Sequence, residues 1–414
     1  MNVQMFTDMG SKSNVDMDLT IPDGLPEALK DERALHDPFE WYRRQRETTS
    51  VQYDPQRDVW DVFSYEAVRT GLQDSDRLVR RQLSQGHMGS ETPFSYLDTA
   101  LVWSDGADHK QAKGQLFKYF QPGLLQDLRS AVRTISEAQL TTALADGPEF
   151  DFVSDFAVPV PLRVVMDVVG VPGEDHQQML AWLETFREVM NSEYSAKGSD
   201  DEAAMTEAVA YFRDLVAERK ADPRDDLISQ LARDTSLSDA EIGSNCFDFI
   251  LAGQGTMSEF LANALYLFDD HDMLDAVLDD GDAVDLSVVL EEVLRFRSPL
   301  QSRARQTTEA VTLDGTEIPA DETVILWIGA ANRDPDQYEA PETFRPERDP
   351  QHLAFGNGPH TCIGAPLARL EAPIVLDAFF AAVESVTLDL DAARPKNKAS
   401  KLGFERLPVA VEPR

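Results

Sequence analysis

The segment from Phe355 to Arg369 constrains this chain more than any other, because it places one cysteine among three glycines just before a helical pattern. It reads Phe-Gly-Asn-Gly-Pro-His-Thr-Cys-Ile-Gly-Ala-Pro-Leu-Ala-Arg. The glycines allow tight turns and a close approach of the backbone to a ligand. The residues that follow repeat apolar positions at helical spacing. Cys362 is therefore predicted to lie in a loop directly before a helix N-terminus.

The position of Cys362 limits its chemistry. Backbone N–H groups and the helix dipole at such a site favour a thiolate. A thiolate held alone suits a nucleophile or a metal bound through one cysteine, whereas a zinc site would need further ligands at matching spacing. A small buried cysteine in a glycine-rich turn is the other reading. The only other cysteine is Cys246, and two are too few for a disulfide framework.

The composition excludes several classes of protein. The 414 residues include 38 Lys and Arg against 74 Asp and Glu, which gives a net charge of −36. Hydrophobic residues make up 42%, which is too many for a disordered acidic chain. A surface this acidic is a poor match for nucleic acid or anionic membrane. Length alone predicts two or three domains.

The charge also predicts an environment. Only ten of the basic residues are lysines. Salt near 1 M shortens the Debye length to about 3 Å and screens the self-repulsion of such a chain. We therefore expect a halophilic protein, adapted to a saline cytosol. The alternative is an ordinary acidic protein with a solvated face. The first twenty residues hold no apolar stretch, and no run long enough to cross a membrane occurs, so a soluble, cytoplasmic protein is expected.

Helical periodicity dominates the chain. Apolar residues recur every three or four positions over Leu124–Ala145, Glu202–Lys220, Ala240–Leu267 and Leu286–Phe296. Strand patterns are few and short: Val51–Asp54, Trp60–Val62, Val311–Leu313, Thr323–Trp327 and a C-terminal pair near Val386 and Val409. The sequence Leu-Asp-Gly-Thr at 313–316 predicts a hairpin. The fold class is therefore mainly α with a small β portion.

The cysteine segment has a specific family resemblance. Phe355, Gly358, Cys362 and Gly364 form the pattern Phe-x-x-Gly-x-x-x-Cys-x-Gly, which resembles the haem-binding loop of the cytochrome P-450 family. The following Ala-Pro-Leu-Ala-Arg looks like the soluble bacterial branch. The resemblance implies haem b, with Cys362 as the axial thiolate of the iron. It also replaces several domains by one haem domain over residues 31–414, after a flexible N-terminal extension over 1–30.

Two further segments agree with the family. Glu292 and Arg295 resemble its Glu-x-x-Arg helix, and Arg348 follows within Phe-Arg-Pro-Glu-Arg. The resemblance makes these three residues a structural triad, which supports the haem side of the fold. By themselves, Glu292 and Arg295 would be a solvated ion pair on one helix face.

Haem propionates need cations, and the resemblance supplies four. They are His109, Lys113, Arg305 and His360. The family usually carries Arg at the position of Lys113, and a lysine binds a carboxylate as a point charge instead of a fork. Each histidine alone would more often be an ordinary surface or core residue.

The segment around Thr256 resembles the helix with which the family activates oxygen. Ala252, Gly253 and Thr256 match the usual Ala-Gly-x-acid-Thr-Thr. Gly255 stands where the acid is usual, and Gln254 can orient water but cannot supply a proton at neutral pH. Three explanations remain open: a water chain over Gly255, help from the substrate, or peroxide as the better oxidant. Ala252 is also expected to contact the haem.

The resemblance places a substrate pocket between the loop at 85–98, the central helix, the segment after the Glu-x-x-Arg helix and a C-terminal turn. Apolar lining suits a hydrophobic small molecule, although each residue could equally be core. The predicted pocket residues are Met88, Phe94, Leu97, Phe249, Leu300 and Phe404.

Three of the ten lysines, Lys110, Lys113 and Lys118, fall near the predicted cysteine side of the haem. A basic spot on an acidic protein would steer an acidic ferredoxin-type electron donor, although three solvated lysines are the plainer reading. The function expected is a haem-thiolate monooxygenase that inserts one atom of O₂ into a hydrophobic molecule. A peroxide-driven peroxygenase and a non-catalytic haem-thiolate sensor or carrier are the alternatives.

Overall fold

The computed structural model describes residues 25–80, 99–121, 126–191, 199–279, 284–396 and 399–414. Most of these residues are helical. Within the described ranges the α-helices are α1 Glu32–His36, α2 Phe39–Thr48, α3 Tyr65–Gln73, α4 Gly106–Leu116, α5 Leu128–Ala143, α6 Pro159–Val169, α7 His176–Asn191, α8 Ser199–Ala221, α9 Leu227–Asp234, α10 Asp239–Asp270, α11 Leu274–Asp279, α12 Leu286–Phe296, α13 Ile328–Ala331 and α14 Ala365–Ala381. Among them, none is long and apolar enough to cross a membrane.

The strands form small sheets at the edge of the helices. The described strands are β1 Val51–Asp54, β2 Val59–Val62, β3 Leu78–Val79, β4 Glu149–Asp151, β5 Arg303–Thr307, β6 Val311–Leu313, β7 Thr316–Ile318, β8 Thr323–Leu326, β9 Val383–Leu388, β10 Arg394–Pro395, β11 Phe404–Arg406 and β12 Pro408–Pro413. One sheet has the order β1-β2-β8-β5-β3, and only its β2–β8 pair is parallel. A second has the antiparallel order β4-β12-β9. Two-stranded pairs join β6 to β7 and β10 to β11.

Helix α10 organises the molecule. A capping box starts it, in which the N–H of Glu241 donates to Ser238 Oγ and the N–H of Ser238 donates to the Glu241 carboxylate. The first half of the helix packs with α6, α8 and α9, and the second half packs with α12 and α14. These are two separate hydrophobic cores, and the helix passes from one to the other near Gly253. A cavity opens at this crossing.

The predicted fold class is confirmed, since helices dominate and the strands form a minor part. The helix predicted at 286–296 has those bounds as α12, and the predicted hairpin joins β6 to β7. Asp314 and Gly315 occupy its turn at positive φ of 44° and 76°, as that turn requires. Helix α5 begins four residues after the predicted Leu124.

Packing begins earlier than the predicted domain boundary at residue 31. Residues Glu27–Leu29 form a short 3₁₀ helix, and Leu29 is fully buried beside Tyr42 and Trp327. The described part of the predicted extension is therefore integral to the core. Residues 1–24 of that extension lie outside the described residues.

Candidate active site

The cysteine loop is fixed by its backbone. The N–H of Cys362 donates to the Phe355 carbonyl at 2.8 Å, which closes the loop three residues before α14. Gly358 has a φ of 74°, and a Cβ there would lie 2.7 Å from the Cα of Gln73 at the end of α3. Only glycine meets both requirements, so the loop is held tightly against α3.

The Cys362 thiol is exposed to the cavity although protein surrounds it. Burial raises the pKa of this thiol, while the N–H groups of Gly364 and Ala365 and the charges of Arg303 and Lys113 act in the opposite direction. A thiol of this kind stays protonated without a partner. A bound metal cation would stabilise the thiolate instead.

The cavity encloses about 1600 Å³ of space free of protein atoms, part of it open to solvent. Cys362 and one face of α10 both line it. The α10 residues on the cavity repeat at three- and four-residue intervals, as one helix face does: Asp248, Phe249, Ala252, Gly253, Thr256, Met257 and Phe260.

Two predicted catalytic residues do not reach this face of α10. Gln254 and Gly255 are absent from the cavity lining. Gln254 is two residues from both Ala252 and Thr256, which places it about 200° around the helix. It is 3% exposed, and its Oε1 has no hydrogen-bond partner in the described structure. The placement of Gln254 at the reacting centre was therefore wrong, whereas Thr256 does face the cavity.

Arg305 is the most informative cation of the cavity. It is 4% exposed, and in the described parts of the chain its guanidinium has no ion pair and donates only to the Ala304 carbonyl. Burial lowers its pKa to about 9, and the charges of Arg80 and Arg303 act in the same direction. Both of these arginines also line the cavity. A buried guanidinium without a carboxylate is costly, so this corner fits an anionic ligand.

The two predicted histidines lie together at the same corner. His360 Nε2 is 2.8 Å from Asp105 Oδ1, and the His109 and His360 rings lie with centroids 4.0 Å apart at an interplanar angle of 44°. Burial, aided by the charges of His360 and Lys113, lowers the pKa of His109 to about 4. His109 is therefore neutral at pH 7 and would bind an anion as a hydrogen-bond donor.

Lys113 was predicted to bind a haem propionate, but in the structure its ammonium binds backbone carbonyls. Its ammonium donates to the carbonyls of Pro359 and Thr361, at 2.5 and 2.7 Å. Lys113 lines the cavity, but its N–H groups donate to the carbonyls of the two residues that flank His360. Lys113 thereby ties α4 to the cysteine loop.

These features together fit haem. A cysteine faces an open cavity, an uncompensated guanidinium and two histidines lie at its edge, and the walls between Cys362 and α10 are mostly apolar. Iron protoporphyrin has the matching parts, namely a metal that takes a thiolate, an apolar macrocycle and two propionates. Cys362 would hold the iron, and Arg305, His109 and His360 the propionates.

The predicted pocket residues divide into three groups. Phe249 and Leu300 line the cavity. Phe404 does not, because its ring packs against Tyr266 and His36 in the core, at 5.4 and 5.0 Å between centroids. Its assignment to the pocket was wrong. The remaining three lie outside the described residues: Met88, Phe94 and Leu97.

The structure brings Glu292, Arg295 and Arg348 together. Arg295 forms two 2.7 Å hydrogen bonds to the Glu292 carboxylate, and Arg348 Nε lies 3.1 Å from Glu292 Oε1. Glu292 and Arg295 are 0% and 1% exposed. Arg295 also donates to the carbonyls of Asn332 and Pro341. The triad thus fixes the segment that leads into the cysteine loop.

Sequence reasoning missed three polar residues. Asp248 and Glu371 line the cavity, and Lys401 lies behind Thr256. Helical spacing alone could have revealed Asp248, which is four residues before Ala252. Lys401 comes from the far end of the chain, and no local pattern predicts its contact.

Known proteins identify the class. The cytochrome P450 family model matches residues 286–412. Cytochrome P450(MEG) of Priestia megaterium is 33% identical over 355 residues, covering 83% of this chain and 86% of its own. The erythromycin C-12 hydroxylase of Saccharopolyspora erythraea is 32% identical over 402 residues, covering 94% and 98%. Substrate-free CYP109E1 from Bacillus megaterium superposes with a TM-score of 0.82 at 29% identity, covering 92% of this chain and all of that one.

The chain therefore belongs to the cytochrome P450 family. It is a haem-thiolate monooxygenase of the soluble bacterial type, and its cofactor is haem b.

Proposed function

We propose that Cys362 is the axial ligand and that the chain oxidises a hydrophobic small molecule with electrons from a ferredoxin-type donor. The observation that carries this is that Cys362 lines the same cavity as Ala252, Gly253 and Thr256. Bound haem would supply the chemistry of O₂ activation, with electron donation from the thiolate. We also propose that residues 31–414 act as one haem domain in the cytoplasm.

The chain's own residues have distinct tasks in this proposal. Arg305, with His109 and His360, binds and orients the propionates through charge and N–H donors. Lys113 keeps the cysteine loop in place through the Pro359 and Thr361 carbonyls. Thr256 presents a hydroxyl at the cavity surface, where it can hold a proton close to the reacting oxygen. Ala252 and Gly253 leave room beside it for oxygen.

A hydrophobic substrate follows from the lining. Apolar side chains from several helices and loops surround the cavity, among them Leu101, Phe120, Val165, Phe249 and Leu300. Solved relatives carry hydrophobic ligands: CYP109E1 was solved with testosterone and with corticosterone, and P450BioI with a hexadec-9Z-enoic acid ligated acyl carrier protein. Molecules of that apolar character suit this lining.

The electron donor is assigned to the surface near the cysteine loop. Lys110 is exposed on α4, and Phe117 is 44% exposed beside Lys118. Lys118 donates to the Asp234 carbonyl at 3.2 Å, so its charge is held near that surface. We expect Lys110→Glu with Lys118→Glu to raise the KM for a ferredoxin several-fold and to weaken its salt dependence. Lys220→Glu, an exposed lysine paired with Asp239, is the control. Unchanged ferredoxin kinetics would exclude this surface.

The proposed activity is tested with purified holoenzyme, a ferredoxin, its reductase and NADPH. A screen for substrate-induced spin shifts selects ligands, and ¹⁸O₂ then labels the product. Incorporation of one labelled atom that depends on the reductase supports the proposal. A ligand that binds but never acquires labelled oxygen contradicts it.

The missing acid at Gly255 favours peroxide as a second candidate oxidant. Product formed with peroxide, at a higher rate than with reductase and O₂, would establish the peroxygenase. Gly255→Asp separates the two cases, because faster O₂-driven turnover with less released peroxide indicates a weakened proton supply. No change in either quantity argues against that weakness.

A further inference from the structure

Asp248 is a buried acid on the substrate side of the cavity. It is 4% exposed, it lines the cavity from α10, and its Oδ1 has no hydrogen-bond partner in the described structure. Burial raises its pKa to about 7. A buried oxygen left without a hydrogen bond destabilises the folded state. Among the residues that the structure describes, none supplies the donor that this oxygen lacks.

The surroundings of Asp248 restrict that donor. Apolar rings line the same cavity, since Phe120 and Phe249 form an edge-to-face pair at 5.2 Å. Arg80 lines the same cavity, and its positive charge acts on the Asp248 carboxyl. An ammonium group brought between them would be repelled by this arginine. A neutral hydroxyl would not.

We propose that the substrate is an apolar molecule with a hydroxyl group that donates to Asp248 Oδ1. This inference rests on the proposed function and names its substrate class. Asp248, Ala252 and Thr256 share one face of α10, and eight residues of helix span about 12 Å. The oxidised carbon is therefore expected near Thr256, about two helical turns along the cavity from the anchoring hydroxyl.

Calorimetric binding to the holoenzyme tests this with matched ligands. Testosterone and androstenedione differ in one hydroxyl replaced by a ketone, and 1-dodecanol, dodecane and dodecylamine extend the comparison to a linear skeleton. We expect the alcohol to bind at least tenfold tighter than its partners on at least one skeleton. The preference should persist in Asp248→Asn, which keeps an acceptor, and vanish in Asp248→Leu. Asp270→Asn, an exposed site on α10, is the control.

Two results would overturn the proposal. One is the absence of an alcohol preference on both skeletons, and the other is its survival in Asp248→Leu. Oxygen insertion into a ketone or hydrocarbon that binds as tightly as its alcohol would leave the monooxygenase function intact and reject only the hydroxyl anchor.

A second, independent observation concerns Thr256. Three buried ionic side chains lie behind it: Glu259, Lys396 and Lys401, which are 1%, 6% and 4% exposed. Lys401 Nζ is 3.3 Å from Thr256 Oγ1 and 3.4 Å from Glu259 Oε2, while Lys396 pairs with Glu259 Oε1. Gly403 lets the C-terminal turn approach, because a Cβ there would lie 2.8 Å from Glu259 Cγ.

An ammonium can only donate, so Thr256 Oγ1 accepts from Lys401. Most helical threonines donate instead to the carbonyl four residues earlier, as Thr134, Thr141 and Thr185 do at 2.9–3.1 Å. Among the described contacts, Thr256 makes no such bond. Its own proton is therefore left to point into the cavity.

We infer that Lys401 is a positioning residue for Thr256 and fixes the direction of its hydroxyl proton where the family's acid is missing. Lys401→Met should lower the fraction of electrons that reach product several-fold, with the balance released as peroxide. Lys401→Arg should restore part of it. Lys396→Met is the control, because it removes the ion pair with Glu259 Oε1 and leaves Lys401 in place beside Thr256.

A measurement without turnover accompanies this test. Chemical unfolding of Lys401→Met, Thr256→Val and the double variant forms a double-mutant cycle. The effects of the two substitutions on the unfolding midpoint should not be additive. In the Lys401→Met protein, Thr256→Val should not lower the fraction of electrons that reach product any further. Additive effects on the unfolding midpoint would overturn the inference. An unchanged fraction of electrons reaching product in Lys401→Met would also overturn it.

Discussion

Gly358 illustrates how one residue determines the geometry of the cysteine loop. Its φ of 74° and its contact with the backbone of Gln73 both forbid a side chain. The sequence indicated a tight turn there, because glycine is the residue that such a turn favours. The contact with α3 could not be predicted, since it joins residues 285 positions apart in a fold that the local pattern does not specify.

We expect Gly358→Ala to destabilise the protein by about 1–3 kcal/mol, because it adds backbone strain and a clash with α3. Urea unfolding of the holoenzyme measures this. Gly114→Ala is the control, because Gly114 lies inside α4 with no atom within 4 Å of the added Cβ. That change should stabilise by about 0.5–1 kcal/mol. Equal effects of the two substitutions would show that the loop tolerates a side chain.

Glu371 gives a prediction about pH. Burial raises its pKa to about 8, whereas an unfolded chain has a Glu pKa near 4.3. The folded state therefore holds this proton more tightly than the unfolded chain does. The contribution of Glu371 to the free energy of unfolding is complete below about pH 4 and is lost as the pH rises to 8. The stability difference between the wild type and Glu371→Gln should fall from pH 5 to pH 8 in urea titrations. A constant difference would contradict the buried neutral acid.

At the scale of elements, α12 carries an ion pair between Glu292 and Arg295 that joins the helix to a distant segment of the chain. The i,i+3 spacing of Glu292 and Arg295 places both on one helix face, as the sequence indicates. Their complete burial and the arrival of Arg348 depend on a segment about fifty residues later. The family resemblance predicted that Arg348 joins Glu292 and Arg295, whereas helical periodicity alone could not predict it.

Glu292→Gln leaves Arg295 buried with its charge uncompensated, so we expect a loss of about 3–5 kcal/mol in the free energy of unfolding. Glu66→Gln is a matched control, because Glu66 and Arg69 form an ion pair with the same i,i+3 spacing. Glu66 is 70% exposed, and its loss should cost less than about 1 kcal/mol. Denaturant unfolding distinguishes the two. Comparable losses would mean that the triad carries no special stability.

Helix α10 shows both the reach and the limit of sequence reasoning. Its bounds were predicted to within three residues, because a long apolar pattern with a capping residue is a strong signal. The cavity-facing side of the helix also follows from helical spacing. That spacing would have excluded Gln254 from the predicted catalytic residues. The partners of that face come from distant segments, and so the roles of Asp248 and Lys401 emerge only in the folded structure.

For the whole molecule, the net charge of −36 remains the dominant electrostatic feature. The buried ion pairs and the cations around the cavity account for only part of the basic residues. Only seven Asp and Glu residues of the described ranges are buried, so most of the described carboxylates reach solvent. We propose that the compact state depends on screening by salt.

We expect the melting temperature to rise between 0.1 M and 2 M KCl, and to rise equally in NaCl at the same ionic strength. Screening depends on ionic strength instead of cation identity. Sorbitol at matched osmolarity controls for general exclusion from the surface. A melting temperature that does not change between low and molar salt would contradict salt adaptation.

Ligation of haem iron by Cys362 is tested most directly by the spectrum of the reduced protein with carbon monoxide. We predict the long-wavelength band of a thiolate-ligated haem in the wild type and in Cys246→Ala, whose cysteine is fully buried away from the cavity. Cys362→His should lose that band whether or not it retains haem. Persistence of the thiolate band in Cys362→His would contradict the assignment of Cys362 as the ligand.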